Sequence, residues 1–184
     1  MKRTLDKQKV MAEAAALVKE SGFEKLTFPK LAKRLDIRSQ SLYNYFKNTN
    51  DLIESMGQNF MDDLYQVIIQ ELVGLTGKAA LRSFGEVIHS YFRAQGQLVT
   101  IIYYIQNYGQ NSAFRQAMAK ILNILDQLVQ TLELSKQEQI AFARSFSSAI
   151  IGFTAIEIMG YFKPEDQDPD QSFEHTLNLL LADK

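Results

Sequence analysis

The chain has 184 residues, 46% of them hydrophobic and 22% charged, with a formal charge of −1 and no cysteine. That composition supplies a substantial core and argues against intrinsic disorder. The lack of cysteine excludes a disulfide framework, a thiolate metal site and a cysteine nucleophile, and agrees with a reducing, cytoplasmic location. The near-neutral total hides a division, because residues 1–50 carry 11 Lys and Arg against 5 Asp and Glu (+6), whereas residues 51–184 carry 9 against 16 (−7). A basic head on an acidic body points to an anionic partner for the head and a separate task for the body. A solvated Lys-rich surface has the same composition, so the motifs must decide. Of the 20 Phe and Tyr, 15 lie after residue 50, which puts the larger core in the body.

The opening "MKRTLDKQKVMAEAAALVKE" is basic and then apolar, but Glu13 interrupts the run, so it reads as an amphipathic helix and not as an export signal. Val10, Ala14, Leu17 and Val18 recur at helical spacing, and Gly22 suits a left-handed helix end, giving a first helix over about 4–21. Thr27 is an N-cap, Pro29 is tolerated in the first turn, and Leu31, Ala32 and Leu35 form the inner side of a second helix over about 28–35. Asp36 and Ile37 make a tight connection to a third helix ending near Asn48.

Asn48 or Thr49 can cap a long helix over about 50–74, Thr76 starts another over about 77–94, and the apolar "LVTIIYYIQ" makes a segment over about 97–107. Asn111 or Ser112 precedes a helix to about 132, with Phe114, Met118, Ile121, Leu125 and Leu128 along one stripe. "SKQE" at 135–138 is a capping box that opens a helix to about 162. Its apolar part, residues 145–162, is only 18 residues long and contains Ser145, Ser147, Ser148 and Glu157, which predicts a buried core helix and no membrane span. Asp168 as N-cap and Pro169 at the first position start the last helix, to about 182. The expectation is an all-α chain of about nine helices without strands, divided into a head at 1–48 and a helical body at 49–184.

Three short helices, the third with an exposed polar side, are the plan of a helix-turn-helix module. On an ideal α-helix with Leu42 at the origin, Phe46 and Ser39 fall inward at about 40° and 60°, and Gln40 and Asn44 fall on the opposite side. A side-chain amide can donate to and accept from one adenine edge, so Gln40 and Asn44 suit the floor of a DNA major groove. Arg38, Ser41, Tyr43, Tyr45 and Lys47, with Thr27 and Lys30 at the start of the second helix, are candidates for flanking phosphates, and Ser39 is counted among the DNA-binding residues.

The stretch "ESGFEKLTFPKLAKRLDIRSQSLYNYFKNTNDLI" resembles the N-terminal DNA-binding region of the TetR family of transcriptional regulators, matching its pattern at Gly22, Phe23, Thr27, Ala32, Leu42, Tyr43 and Phe46. The chain departs from that pattern at Asp36, where a turn glycine is usual, at Arg38, where Ser or Thr usually caps, and at Thr49, where lysine is common. The resemblance implies an all-helical homodimer with a DNA-binding head and a body that binds a small effector. "SSAIIGFTAIEIMGYF" followed by "DPDQSFEHTL" is similar to a TetR subgroup named for a Trp-His-Gly signature, of which Gly152 is present. In the family the last two helices of each subunit make a four-helix interface, which implicates Ala149, Ile150, Phe153, Ile156, Phe173, Leu177 and Leu180. Phe60, Phe84, Ile88, Tyr91, Tyr104, Asn107, Met118 and Phe146 are the candidate effector lining, and their apolar character favours an uncharged or lipophilic effector.

Enzymatic readings lack support, since the chain has no Gly-rich phosphate loop, no nucleophile elbow and only two histidines, His89 and His175. Asp166, Asp168 and Asp170 imitate the start of a calcium loop, but Gln171 replaces its glycine and Leu177 its bidentate glutamate, so no metal or other cofactor is expected. The expected function is a dimeric regulator, a repressor released from a palindromic operator by a small, mainly apolar effector. Two readings compete with it, a DNA-binding adaptor answering to a protein partner and a helical carrier of a lipophilic molecule.

Overall fold

A computed structural model of the chain describes residues 5–163 and 168–182. Among the described residues there are seven α-helices, three 3₁₀ stretches and no strand: α1 (Lys7–Ser21), α2 (Phe28–Arg34), α3 (Thr49–Glu71), α4 (Gly77–Gln95), α5 (Ala113–Gln130), α6 (Lys136–Ile158) and α7 (Pro169–Leu181). The 3₁₀ stretches cover Phe23–Lys25, Ser39–Asn44 and Gly96–Asn107. Two of these replace expected α-helices, at the third helix of the head and at the "LVTIIYYIQ" segment. The all-α class is as expected. The chain forms two compact units, one made of the described residues up to Asp62 with Gln95–Met118, the other of Asp63–Ala94 with the described residues from Ala119 onward. This partition does not follow the 48/49 boundary, because the first unit takes in the start of α3 and the segment around the third 3₁₀ stretch.

In the first unit, local signals set the helix ends. The Asp6 carboxylate accepts from the Lys9 amide at 2.8 Å to start α1, and the Gly22 amide, at φ 78°, donates to the Val18 carbonyl at 2.8 Å to end it. Thr27 Oγ1 accepts from the Lys30 amide at 3.4 Å at the start of α2. Asn48 begins α3 by accepting from the Asp51 amide at 2.9 Å, while the Asp51 carboxylate accepts from the Lys47 amide at 2.7 Å. Asp36 follows α2 at φ 54°, a left-handed conformation that costs a non-glycine residue about 1 kcal/mol. Arg34 ties α2 to α1, donating to Glu13 at 2.6 Å and to Glu20 at 3.0 Å, and this pairing holds the Glu20 carboxyl below its ordinary pKa.

The Gly96–Asn107 stretch packs on α1, and Tyr104 lies 4.8 Å from Phe23, ring centre to ring centre. Tyr108 donates its hydroxyl to the Asn50 carbonyl at 2.8 Å, and Glu54 accepts from the Ala113 amide at 3.2 Å, so the start of α3 is fixed to the start of α5. Burial, reinforced by the Glu54 and Asp51 carboxylates, pushes the Tyr108 hydroxyl up to about 12. A Cβ on Gly57 would sit 2.5 Å from the Phe114 ring, which is why this position in α3 has none.

In the second unit, α4, α6 and α7 share a core at Gly85, where a Cβ would lie 2.9 Å from Leu177 and 3.1 Å from Ile150. Ser135 and Glu138 form the expected capping box, and Asp168 caps α7 by accepting from the Asp170 amide at 3.0 Å. The buried His89 stacks on Phe173 at 3.8 Å, with its Nε2 2.7 Å from a Glu157 oxygen; Arg93 donates to the other Glu157 oxygen at 3.1 Å and also pairs with Asp170. The expectation that α6 is a buried core helix is not met. It has 23 residues and a mean hydropathy of 1.2 in its most apolar window, of which only 17% is buried. Phe146, Ile150 and Thr154, one line at four-residue spacing, face inward, and Ile151, Ile156 and Met159 remain exposed.

Candidate nucleic-acid interface

The recognition element is a six-residue 3₁₀ turn held by bonds from the Ser41 amide to the Arg38 carbonyl (2.9 Å) and from the Tyr45 and Phe46 amides to the Leu42 carbonyl (both 3.0 Å). A 3₁₀ helix turns about 120° per residue, so side chains three apart stand in line. Ser39, Leu42 and Tyr45 form the inner line, with Leu42 fully buried. Gln40 and Tyr43 form one outer line, Ser41 and Asn44 the other. Gln40 and Asn44 therefore do not share one outward direction, as an α-helical wheel predicts, but stand about 120° apart. Both are exposed, and no described residue covers them.

The flanking groups divide. Arg38, Tyr43 and Lys47 are exposed, and Tyr43 also packs edge-on against Phe28 at 5.0 Å, which orients its hydroxyl-bearing end. Ser39 and Ser41 are half-buried. Arg38 stands at the cap position without a side-chain bond to the turn. Tyr45 differs from the expected outward reach: it is half-buried, and its hydroxyl donates to the Leu5 carbonyl at 2.9 Å. Thr27 and Lys30 are exposed at the start of α2, although the Thr27 hydroxyl already accepts from the Lys30 amide. Lys33, one turn further on, is exposed as well and was not singled out by the sequence. The Arg34 clamp also escapes sequence reading, because Glu13 and Glu20 are contacts across helices.

The effector candidates fall in both units: Phe60, Tyr104, Asn107 and Met118 in the first, Phe84, Ile88, Tyr91 and Phe146 in the second. Phe60, Phe84, Ile88 and Phe146 are buried, and Asn107 is exposed. In the second unit, Tyr91 lines a groove of about 440 Å³ with Val67, Glu71, Ser83, Glu86, Val87 and Ser90, a lining with more carboxylates than the sequence suggested. Burial and then the charge of Asp63 raise the Tyr91 pKa, keeping its hydroxyl protonated. Of the interface candidates, Ile150, Phe173 and Leu177 are buried within the second unit and have no surface to offer a partner; Ala149, Phe153 and Leu180 are half-buried, and Ile156 is exposed. Asp166 lies outside the described residues, and no metal-binding group of three acidic or histidine side chains occurs among those described.

The sequence profile of bacterial regulatory proteins of the tetR family matches residues 10–56, and that of the tetracyclin repressor-like C-terminal domain matches residues 81–180. The chain belongs to the TetR family. A TetR-family chain is a DNA-binding transcriptional regulator and not an enzyme, and here the helix-turn-helix profile ends within the first turns of α3. None of the curated proteins matches the sequence. Among solved structures, a protein of unknown function from Rhodococcus sp. RHA1 is similar at 12% identity and a TM-score of 0.84, covering 98% of this chain and 96% of that one. A TetR variant from Acinetobacter baumannii AYE in complex with minocycline is similar at 19% and 0.71, covering 97% and 96%. The regulator FadR from Bacillus subtilis in complex with stearoyl-CoA is similar at 16% and 0.71, covering 96% and 98%. At these identities the likeness is one of fold.

Proposed function

We propose that this TetR-family regulator is a cytoplasmic homodimeric repressor that leaves a palindromic operator when a small effector binds the body. The observation that carries the DNA-facing part is the bare outer surface of the recognition turn. Gln40 and Asn44 present amides on two adjacent lines, and Arg38, Tyr43, Lys47, Lys30 and Thr27 offer donors around them for phosphates. Tyr45 drops out of that contact set because its hydroxyl is engaged.

The dimer is supported by exposed apolar positions on and beside α6 and α7, where Ile156 of the expected interface is joined by Ile151, Met159 and Leu179. A second subunit laid on this surface would bring two recognition turns to half-sites one helical turn apart, about 34–36 Å. The complexes of fold relatives with minocycline and stearoyl-CoA support a small effector with a large apolar part. The Glu71 and Glu86 carboxylates of the groove disfavour an anionic one in this chain. Release then follows if the effector binds a head spacing that the operator does not fit. Control by a protein partner is the second reading, drawn from the exposed Val73 and Leu75 at the α3–α4 turn.

Selecting bound duplexes from a random pool tests the proposal. The expected outcome is a palindrome with half-sites about 10 base pairs apart; a short single site, or no enrichment at all, would count against it.

A further inference from the structure

Tyr45 closes the recognition turn, and its hydroxyl is donated to the Leu5 carbonyl, 40 residues earlier, at 2.9 Å. A second link joins the same two places, since the Lys7 ammonium stands 5.0 Å from the centre of the Phe46 ring. The receiving end is fixed: Asp6, beside Leu5, caps α1 through the Lys9 amide. The turn itself is not self-supporting, because a six-residue 3₁₀ segment has poor hydrogen-bond geometry and only a few bonds. The Leu5 side opens on a cleft of about 500 Å³ lined also by Lys9, Ala12, Arg34 and Ile37.

We infer that Tyr45 is a positioning residue, whose hydroxyl pins the exit of the recognition turn to the start of α1 and so fixes the angle at which Gln40 and Asn44 meet the bases. It does this without touching DNA. This rests on the DNA-facing reading proposed above. Side-chain amides discriminate bases only within narrow limits of distance and angle, so a loosened exit weakens base readout before it weakens the phosphate contacts around it.

The test is Tyr45→Phe in the full chain, measured against the duplex selected by the wild type and against a scrambled duplex. Losing one hydrogen bond of ordinary strength is expected to lower cognate affinity about five- to tenfold and to leave scrambled binding unchanged. In the DNA-free variant, the Tyr45 and Phe46 amides are expected to exchange with solvent about tenfold faster, with the α1 and α2 amides unmoved and the urea midpoint lowered by no more than the loss of that one bond. Leu5→Gly, which keeps the carbonyl but loosens the chain bearing it, is expected to give the same cognate-selective loss at about two- to threefold, and it carries the test if the Phe variant does not fold. Equal weakening on both duplexes with unchanged exchange would assign Tyr45 to a phosphate and overturn the inference. So would faster exchange throughout the head with a urea midpoint lowered by more than that, which marks a general structural role, and so would no change in either variant. A wild type that binds no duplex would remove the DNA-facing reading instead, while the exchange rates still report the anchor.

Discussion

The recognition turn and α6 both leave much of their surface uncovered by the chain, but one surface is polar and the other apolar. Gln40, Asn44 and Arg38 are satisfied by water when nothing is bound, so the head is ready for DNA at no cost in solubility. Ile151 and Ile156 on α6, Met159 just past its end and Leu179 on α7 are not, and apolar area of this kind is stabilised when a partner of matching shape covers it. On the reading proposed above, the bare polar surface is visited reversibly by DNA and the bare apolar one is covered by the second subunit.

The largest expected effect comes from making the second surface resemble the first. Ile151→Glu with Leu179→Glu buries two carboxylates per subunit in the proposed interface, and is expected to weaken dimerisation about a hundredfold or more by sedimentation equilibrium. The α6 helix content by circular dichroism is expected to stay intact. An unchanged dimer would place the interface elsewhere.

A buried position sharpens the contrast. Gly57→Ala forces a methyl to within 2.5 Å of the fully buried Phe114 ring, and urea unfolding is expected to show a loss of about 1–3 kcal/mol. On the polar surface, Asn44→Ala is expected to remove about 1–3 kcal/mol of discrimination at one base pair of each half-site with the melting temperature unchanged, whereas Tyr43→Phe weakens all duplexes evenly. Equal effects of Asn44→Ala on cognate and scrambled DNA would show that it faces a phosphate.

The reasons some of this was legible in the sequence are local. Thr27, Ser135 and Asp168 cap helices by reaching amides two or three residues ahead, so their effect is written within one turn of chain. Asp36 stands where the resemblance leads one to expect a turn glycine, and it adopts φ 54°. The rest was not local. An α-helix and a 3₁₀ helix differ by one residue in hydrogen-bond spacing, too small a difference for the residue pattern of Ser39–Asn44 to mark, and the bond of Tyr45 to Leu5 spans 40 residues of sequence. Hydropathy marks Ile150 and Ile151 alike, yet one is buried by its own unit and the other is bare, a distinction that depends on how α6 is turned.

Two smaller effects complete the series. Asp36→Gly relieves the left-handed strain at the cost of some unfolded-state freedom, for a net gain of about 0.5 kcal/mol in urea with DNA binding unchanged. Tyr108 is raised to about 12 from its ordinary 10.0, and Tyr91 is raised as well. Because the folded state prefers the neutral phenol, their contribution is complete below pH 10 and is lost as pH rises from 10 towards 12. The urea midpoint of Tyr108→Phe is therefore expected to fall less over that range than that of the wild type.

The most direct measurement follows the side-chain amide protons of Gln40 and Asn44 by nuclear magnetic resonance while duplex is added. Occupation of the groove by the recognition turn predicts that both pairs shift and slow in exchange with cognate duplex, and that these changes disappear with scrambled duplex. Binding that shifts the lysine-rich surface and leaves both amides as they are in the free protein would contradict the account.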